Sequence, residues 1–122
     1  MGWGSILVGL LTGAVSGLAF WREDWLGGYG SWRRRMVRLA HISFFGLGLI
    51  NIAFALSVPH LDLAAGAGAL RWSSALLVLG NISMPAVCYL AAWRMPFRHL
   101  FALPVGCVVL GVATFLAAVA WR

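Results

Sequence analysis

The chain has 122 residues, 62% of them hydrophobic and only 10% charged, with mean hydropathy +0.92 and formal charge +6. A soluble domain of this size cannot hide so much apolar surface, so the composition specifies a single-domain integral membrane protein. The charge comes from nine arginines against Glu23, Asp24 and Asp62, with no lysine. These arginines punctuate hydrophobic runs and form no groove-sized patch, which points away from nucleic acid and towards lipid head groups.

The chain opens with MGWGSILVGLLTGAVSGLAFW. No basic residue precedes Arg22 and no cleavage site is evident, so the run reads as a first transmembrane helix near residues 4–21 and not as a signal peptide. Ser5, Gly9, Thr12, Gly13, Ser16 and Gly17 share one face at helical spacing. Small residues so arranged let helices approach closely in lipid, where packing replaces the hydrophobic effect. A ligand cleft along the same stripe is the alternative.

The next stretch, REDWLGGYGSWRRR, is the most polar of the chain. Gly27, Gly28 and Gly30 break a helix, and Trp21, Trp25, Tyr29 and Trp32 match an aromatic belt at a lipid–water interface. GGYG lacks the preceding strand and the GK[ST] ending of a phosphate loop. A connecting loop on the membrane surface is expected, with Glu23 and Asp24 partly neutralising nearby arginines.

The second span follows Arg33, Arg34, Arg35 and Arg38. Leu39 to Pro59 gives twenty-one residues without a formal charge unless His41 is protonated, enough to cross a bilayer core at ~1.5 Å per residue. Spans near 37–58, 72–93 and 98–121 complete the pattern. In the third, Pro85 removes an amide donor and predicts a kink. Pro96 suits a helix start, and Pro104 is placed to bend the fourth span. His99, Ala102, Leu103, Gly106, Leu110, Ala113, Ala117 and Ala120 form the expected packing stripe of that helix. Cys88 and Cys107 lie in apolar runs without CxxC spacing and read as small buried hydrophobes.

The fold class predicted is therefore an all-α, four-helix transmembrane bundle, up-down-up-down. Arg22, Arg33, Arg34, Arg35, Arg38, Arg94 and Arg98 fall on one side, leaving Arg71 and Arg122 on the other. The positive-inside rule then puts both termini outside and the two basic loops in the cytoplasm. This is the pattern of a multi-pass inner-membrane protein of bacterial type.

Ionisable or amide groups inside a span are functional candidates by default. His41 and His99 start parallel spans at depths differing by about 3–5 Å. Arg34, Arg38, His41, Phe45, Gly48, Ile52 and Ala55 share one stripe. Two such imidazoles would suit the axial positions of a b-type haem, with Gly48 and Gly106 making room and Arg38 and Arg98 facing the propionates. A quinone pocket and purely structural histidines are the competing readings. The four-helix, two-histidine layout resembles, in architecture, the small membrane cytochrome b anchors of respiratory complexes.

Asn51 and Asn81 lie near the predicted midplane on adjacent antiparallel helices, where a mutual hydrogen bond would satisfy both; Ser83 and Met84 complete the intramembrane polar set. His60 and Asp62 make at most two ligands, too few for a metal site. With no intramembrane carboxylate and no nucleophile–base set, the pattern argues against hydrolytic catalysis and proton transport. The expected function is a non-catalytic accessory or assembly subunit of a larger membrane complex. The runner-up is a redox-linked subunit binding haem b or quinone near the cytoplasmic face, and a third reading is a small homo-oligomeric transporter.

Overall fold

The computed structural model describes residues 1–60 and 67–120; Asp62, Trp121 and Arg122 lie outside them. Four α-helices account for the architecture: α1 (Gly2–Gly17), α2 (Trp32–Ser57), α3 (Ala67–Trp93) and α4 (Ala102–Ala120), and no strand occurs among the described residues. Short 3-10 segments at Trp25–Gly27, Val58–His60 and Met95–Phe101 punctuate the connections. Three helical stretches, Trp32–His60, Ala67–Trp93 and Met95–Ala120, are long and apolar enough to cross a membrane. The first helix has 16 residues, about 24 Å, against a bilayer core of about 30 Å.

The first span thus ends earlier than the expected residue 21. Beyond Gly17 the backbone tightens, with the amides of Ala19 and Phe20 bonding the carbonyls of Ser16 and Gly17. The Phe20 carbonyl is then taken by the Arg34 guanidinium, 3.2 Å away. Helix α2 begins five residues before the expected start because Ser31 caps it, its hydroxyl oxygen accepting from the Arg34 amide at 3.2 Å. Helix α3 runs through Pro85 without interruption. Pro104 falls in the first turn of α4, where amides have no intrahelical partner, so it starts the helix and does not bend it. Pro96 opens the 3-10 segment before it.

Close contacts give the directions. Gly2 lies against Gly48 and Ile52, Gly9 against Phe44 and Phe45, and Gly13 against His41, so α2 numbers fall as α1 numbers rise. Trp32 Nε1 donates to the Ala91 carbonyl and Asn51 Nδ2 to that of Leu77, an antiparallel α2–α3 pair. Ser73 Oγ donates to the Gly111 carbonyl at 2.6 Å, while Gly80 meets Pro104 and Val108. Each helix therefore runs antiparallel to the next. The seams are α1 on α2, α2 on α3 and α3 on α4, with no comparable α1–α4 seam among the described residues. The arrangement is an open row of four helices. Single contacts skip a helix: Ser5 reaches Asn81, and Phe54 meets Phe115 edge-on at 5.3 Å.

The buried core is thin and follows the inner helices: Ala40 and Leu47 on α2, with Leu70, Leu77, Val87, Cys88 and Ala91 on α3. The α1 stripe packs inward as its spacing predicts, except that Gly17 meets open space. The α4 stripe does not. Ala102, Leu103, Leu110, Ala113, Ala117 and Ala120 are exposed, and Gly106 has nothing within 4 Å of where a Cβ would sit. The seam with α3 is made by Pro104, Val108 and Gly111, one helical face to the side. In a helix whose whole circumference is apolar, hydropathy does not mark the inner face.

Candidate functional site

The α1–α2 seam and the loop between them hold most of the polar candidates. Arg34 is only 3% exposed, turned inward on the stripe it shares with His41 and Gly48. Its Nη2 donates to the Phe20 carbonyl and its Nη1 to that of Glu23, at 3.2 and 3.5 Å. The guanidinium carbon sits 4.8, 5.6 and 5.4 Å from the ring centres of Phe20, Trp25 and Tyr29. Among the described residues no carboxylate pairs with it; carbonyl oxygens and ring faces stabilise it instead. Among the described residues the loop's acidic pair contributes one exposed ion pair, Arg22 to Asp24 at 3.6 Å, of little energetic weight.

The loop is shaped around this buried cation. Gly27 and Gly28 adopt φ of 87° and 93°, and Leu26 follows them into the left-handed region at φ 56°. A leucine there costs roughly 1–2 kcal/mol. Ser31 offsets part of that by donating its hydroxyl to the Leu26 carbonyl at 2.7 Å. The one hydroxyl thus caps α2 and holds the turn.

His41 lies about two turns beyond Arg34 along α2, facing α1. Gly13 leaves it room, and Phe45 meets its ring edge-on at 5.1 Å. Gly13, Ser16, Phe20, Val37, Arg38 and His41 line a cavity of about 70 Å³. Nδ1 of His41 is buried without a hydrogen-bond partner among the described residues. The space suits about two waters, each occupying ~30 Å³ of liquid volume, and is far too small for a macrocycle. Arg38 leans away, donating to the Tyr29 carbonyl at 3.3 Å and stacking over its ring at 4.3 Å.

The remaining haem-candidate residues are not gathered around His41. His99 and Arg98 are exposed on the 3-10 segment before α4, which packs on α3. No described cavity has both histidines in its wall. Gly48, assigned to make room, is closed by the Gly2 carbonyl and the Ile6 side chain, each 3.0 Å from where its Cβ would lie. Gly106 opens outward from α4 instead. Helix α3 stands between α2 and α4 in the row.

The amides also find partners other than each other. Asn51 Nδ2 donates to the Leu47 and Leu77 carbonyls at 2.9 and 3.3 Å. Asn81 Oδ1 lies 2.9 Å from Ser5 Oγ, which is equally 2.9 Å from the Phe44 carbonyl. A hydroxyl has one proton, so Ser5 either shares it between the two oxygens or receives an amide hydrogen from a turned Asn81. Ser5 belongs to this polar set on its position in the α1 stripe, the one signal that marks it. Ser83 bonds its own helix at the Leu79 carbonyl, and Met84 is half-buried. His60 is exposed. No group of three or more potential metal ligands occurs among the described residues. Compared with known protein families, curated proteins and solved structures, the chain matches none of them.

Proposed function

We propose that this chain is a multi-pass inner-membrane protein acting as a non-catalytic accessory or assembly subunit of a larger membrane complex. The observation that carries this reading is the open row. Helix α4 is seamed to α3 alone, and its face of Ala102, Gly106, Ala113 and Ala117 is left to other partners. Close-packing small residues turned outward suit a second membrane subunit more than lipid, since lipid gains nothing from a small side chain. Purification in mild detergent is expected to recover the chain with another membrane protein in fixed stoichiometry. Recovery as a lone monomer would remove the proposal, and a stable assembly of identical chains would favour the small-transporter reading.

The proposed topology crosses the membrane up-down-up-down with both termini outside. Arg22, Arg33, Arg35, Arg38, Arg94 and Arg98 gather at the end of the row where α2 begins and α3 finishes, and Arg71 lies at the opposite end. The short α1 is extended by the apolar turns of Leu18–Trp21, and local thinning of the bilayer accommodates the rest. A reporter active only in the cytoplasm, fused to the carboxyl end, is expected to stay silent; strong activity would reverse the orientation.

A further inference from the structure

Helices α1 and α3 both pack on α2 but are not seamed to each other, and a groove of about 430 Å³ runs between them. Its walls include Ser5, Val8, Phe44, Asn81, Pro85 and Tyr89. Gly4, Ile82 and Ala86 are exposed along its rim, so it opens sideways, towards lipid in a membrane. The volume falls within the roughly 300–1,000 Å³ of small-molecule sites.

Asn81 is the group that needs explaining. It is 4% exposed and lines this groove, yet its Nδ2 donates to none of the described residues. If the amide is turned to donate to Ser5, the free group becomes its oxygen, so one end of Asn81 is unpartnered in either orientation. At this depth neither water nor an acyl chain supplies a partner, and an unmet amide is costly in such a medium. Asn81 is about 21 Å from the start of α3 and about 18 Å from its end, near the middle of a span. Ester carbonyls of phospholipids lie at the edges of the ~30 Å core and do not reach it.

We propose that the α1–α3 groove binds a lipid-soluble ring bearing carbonyl groups, of the quinone class, with one carbonyl on the Asn81 amide. Phe44, Pro85 and Tyr89 supply flat walls for such a ring, and its hydrocarbon tail leaves through the open rim. This site is separate from the smaller cavity that His41 lines beside Gly13.

The test uses the full chain in detergent, immobilised on resin, with decylubiquinone as the probe and retained quinone read by absorbance. Wild type is expected to retain one quinone per chain saturably. Asn81→Leu removes the amide and Ala86→Trp fills the groove from its exposed rim; each is expected to weaken retention at least tenfold. Ala113→Trp, on the outer face of α4, is expected to leave it unchanged. Ala86→Trp touches no buried bond, so it decides the matter even if Asn81→Leu does not fold. Unsaturable partitioning, or equal retention by wild type and Ala86→Trp, would overturn the proposal. So would loss on His41→Ala with no effect of Ala86→Trp, or a tightly held phospholipid that decylubiquinone does not displace.

Discussion

Gly80→Leu is expected to destabilise the protein by about 3 kcal/mol, the upper part of the range for overpacking a close contact. A Cβ at Gly80 would already lie 2.5 Å from Val108 Cγ2, with the Val108 amide nitrogen and Pro104 carbonyl at 3.4 and 3.5 Å. Valine in a helix has essentially one χ1 rotamer, so its methyl cannot swing aside. Relief therefore requires α4 to move away from α3, and with it the bond from Ser73 to the Gly111 carbonyl. Gly106→Leu is the matched control. It meets nothing within 4 Å, and losing glycine's backbone freedom in a helix gains up to about 1 kcal/mol, so stability should hold or rise slightly. Thermal unfolding in detergent distinguishes the two. The reverse order would mean that α4 presents its alanine and glycine stripe to α3 after all. Gly111→Leu belongs with Gly80, because its Cβ would sit 3.0 Å from Leu77 Cγ.

Arg34→Met should cost a similar amount, about 3 kcal/mol, while Arg35→Met stays within about 0.5 kcal/mol. Methionine keeps much of the length but loses two charge-assisted bonds and the attraction of three ring faces. It also leaves the Phe20 and Glu23 carbonyls without that donor. Arg35 is exposed and carries none of this. Limited trypsin digestion reads the loop directly: in Arg34→Met, cleavage after the exposed Arg22 should accelerate well beyond the wild-type rate. Unchanged cleavage and unchanged stability would show that the 18–31 loop holds its shape without the guanidinium.

Much of the fold was legible because long apolar runs fit to cross a membrane obey strong rules. A charge-free run of about twenty residues has to be helical to satisfy its backbone, and α2 and α3 lie where such runs predict. Boundaries shifted where local chemistry intervened, as when the Ser31 cap started α2 early. The α1 stripe was readable because its small residues alternate with bulky leucines and valines. On α4 the same cue misled, since nothing in the sequence tells a small residue facing a neighbour from one facing outward.

The site residues were harder to read for a different reason. Pairing Asn51 with Asn81 assumed that equal depth brings two amides together, but each amide bonds whatever its own side faces. For Asn81 that is Ser5, 76 positions away in the chain. Likewise, matching depth was expected to bring His41 and His99 together, but His41 faces α1 while His99 is exposed on the segment that packs on α3. Arg34 differs from Arg33 and Arg35 only in its helical phase. It stands on the stripe of His41 and Gly48, and that periodicity was the available sign that it turns inward.

The row of seams has a consequence for how the protein is put together. Each helix packs chiefly on the one made just before it, so native contacts are short-range in sequence and the loops to be closed are small. The α1–α2 hairpin can form around the Arg34 cage before α3 has been synthesised. At that stage Ser5 has the Phe44 carbonyl of α2 as its partner, and Asn81, arriving on α3, then ties the first helix to the third. The row thus lets the helices assemble in chain order, with the Ser5–Asn81 contact closing once α3 is in place.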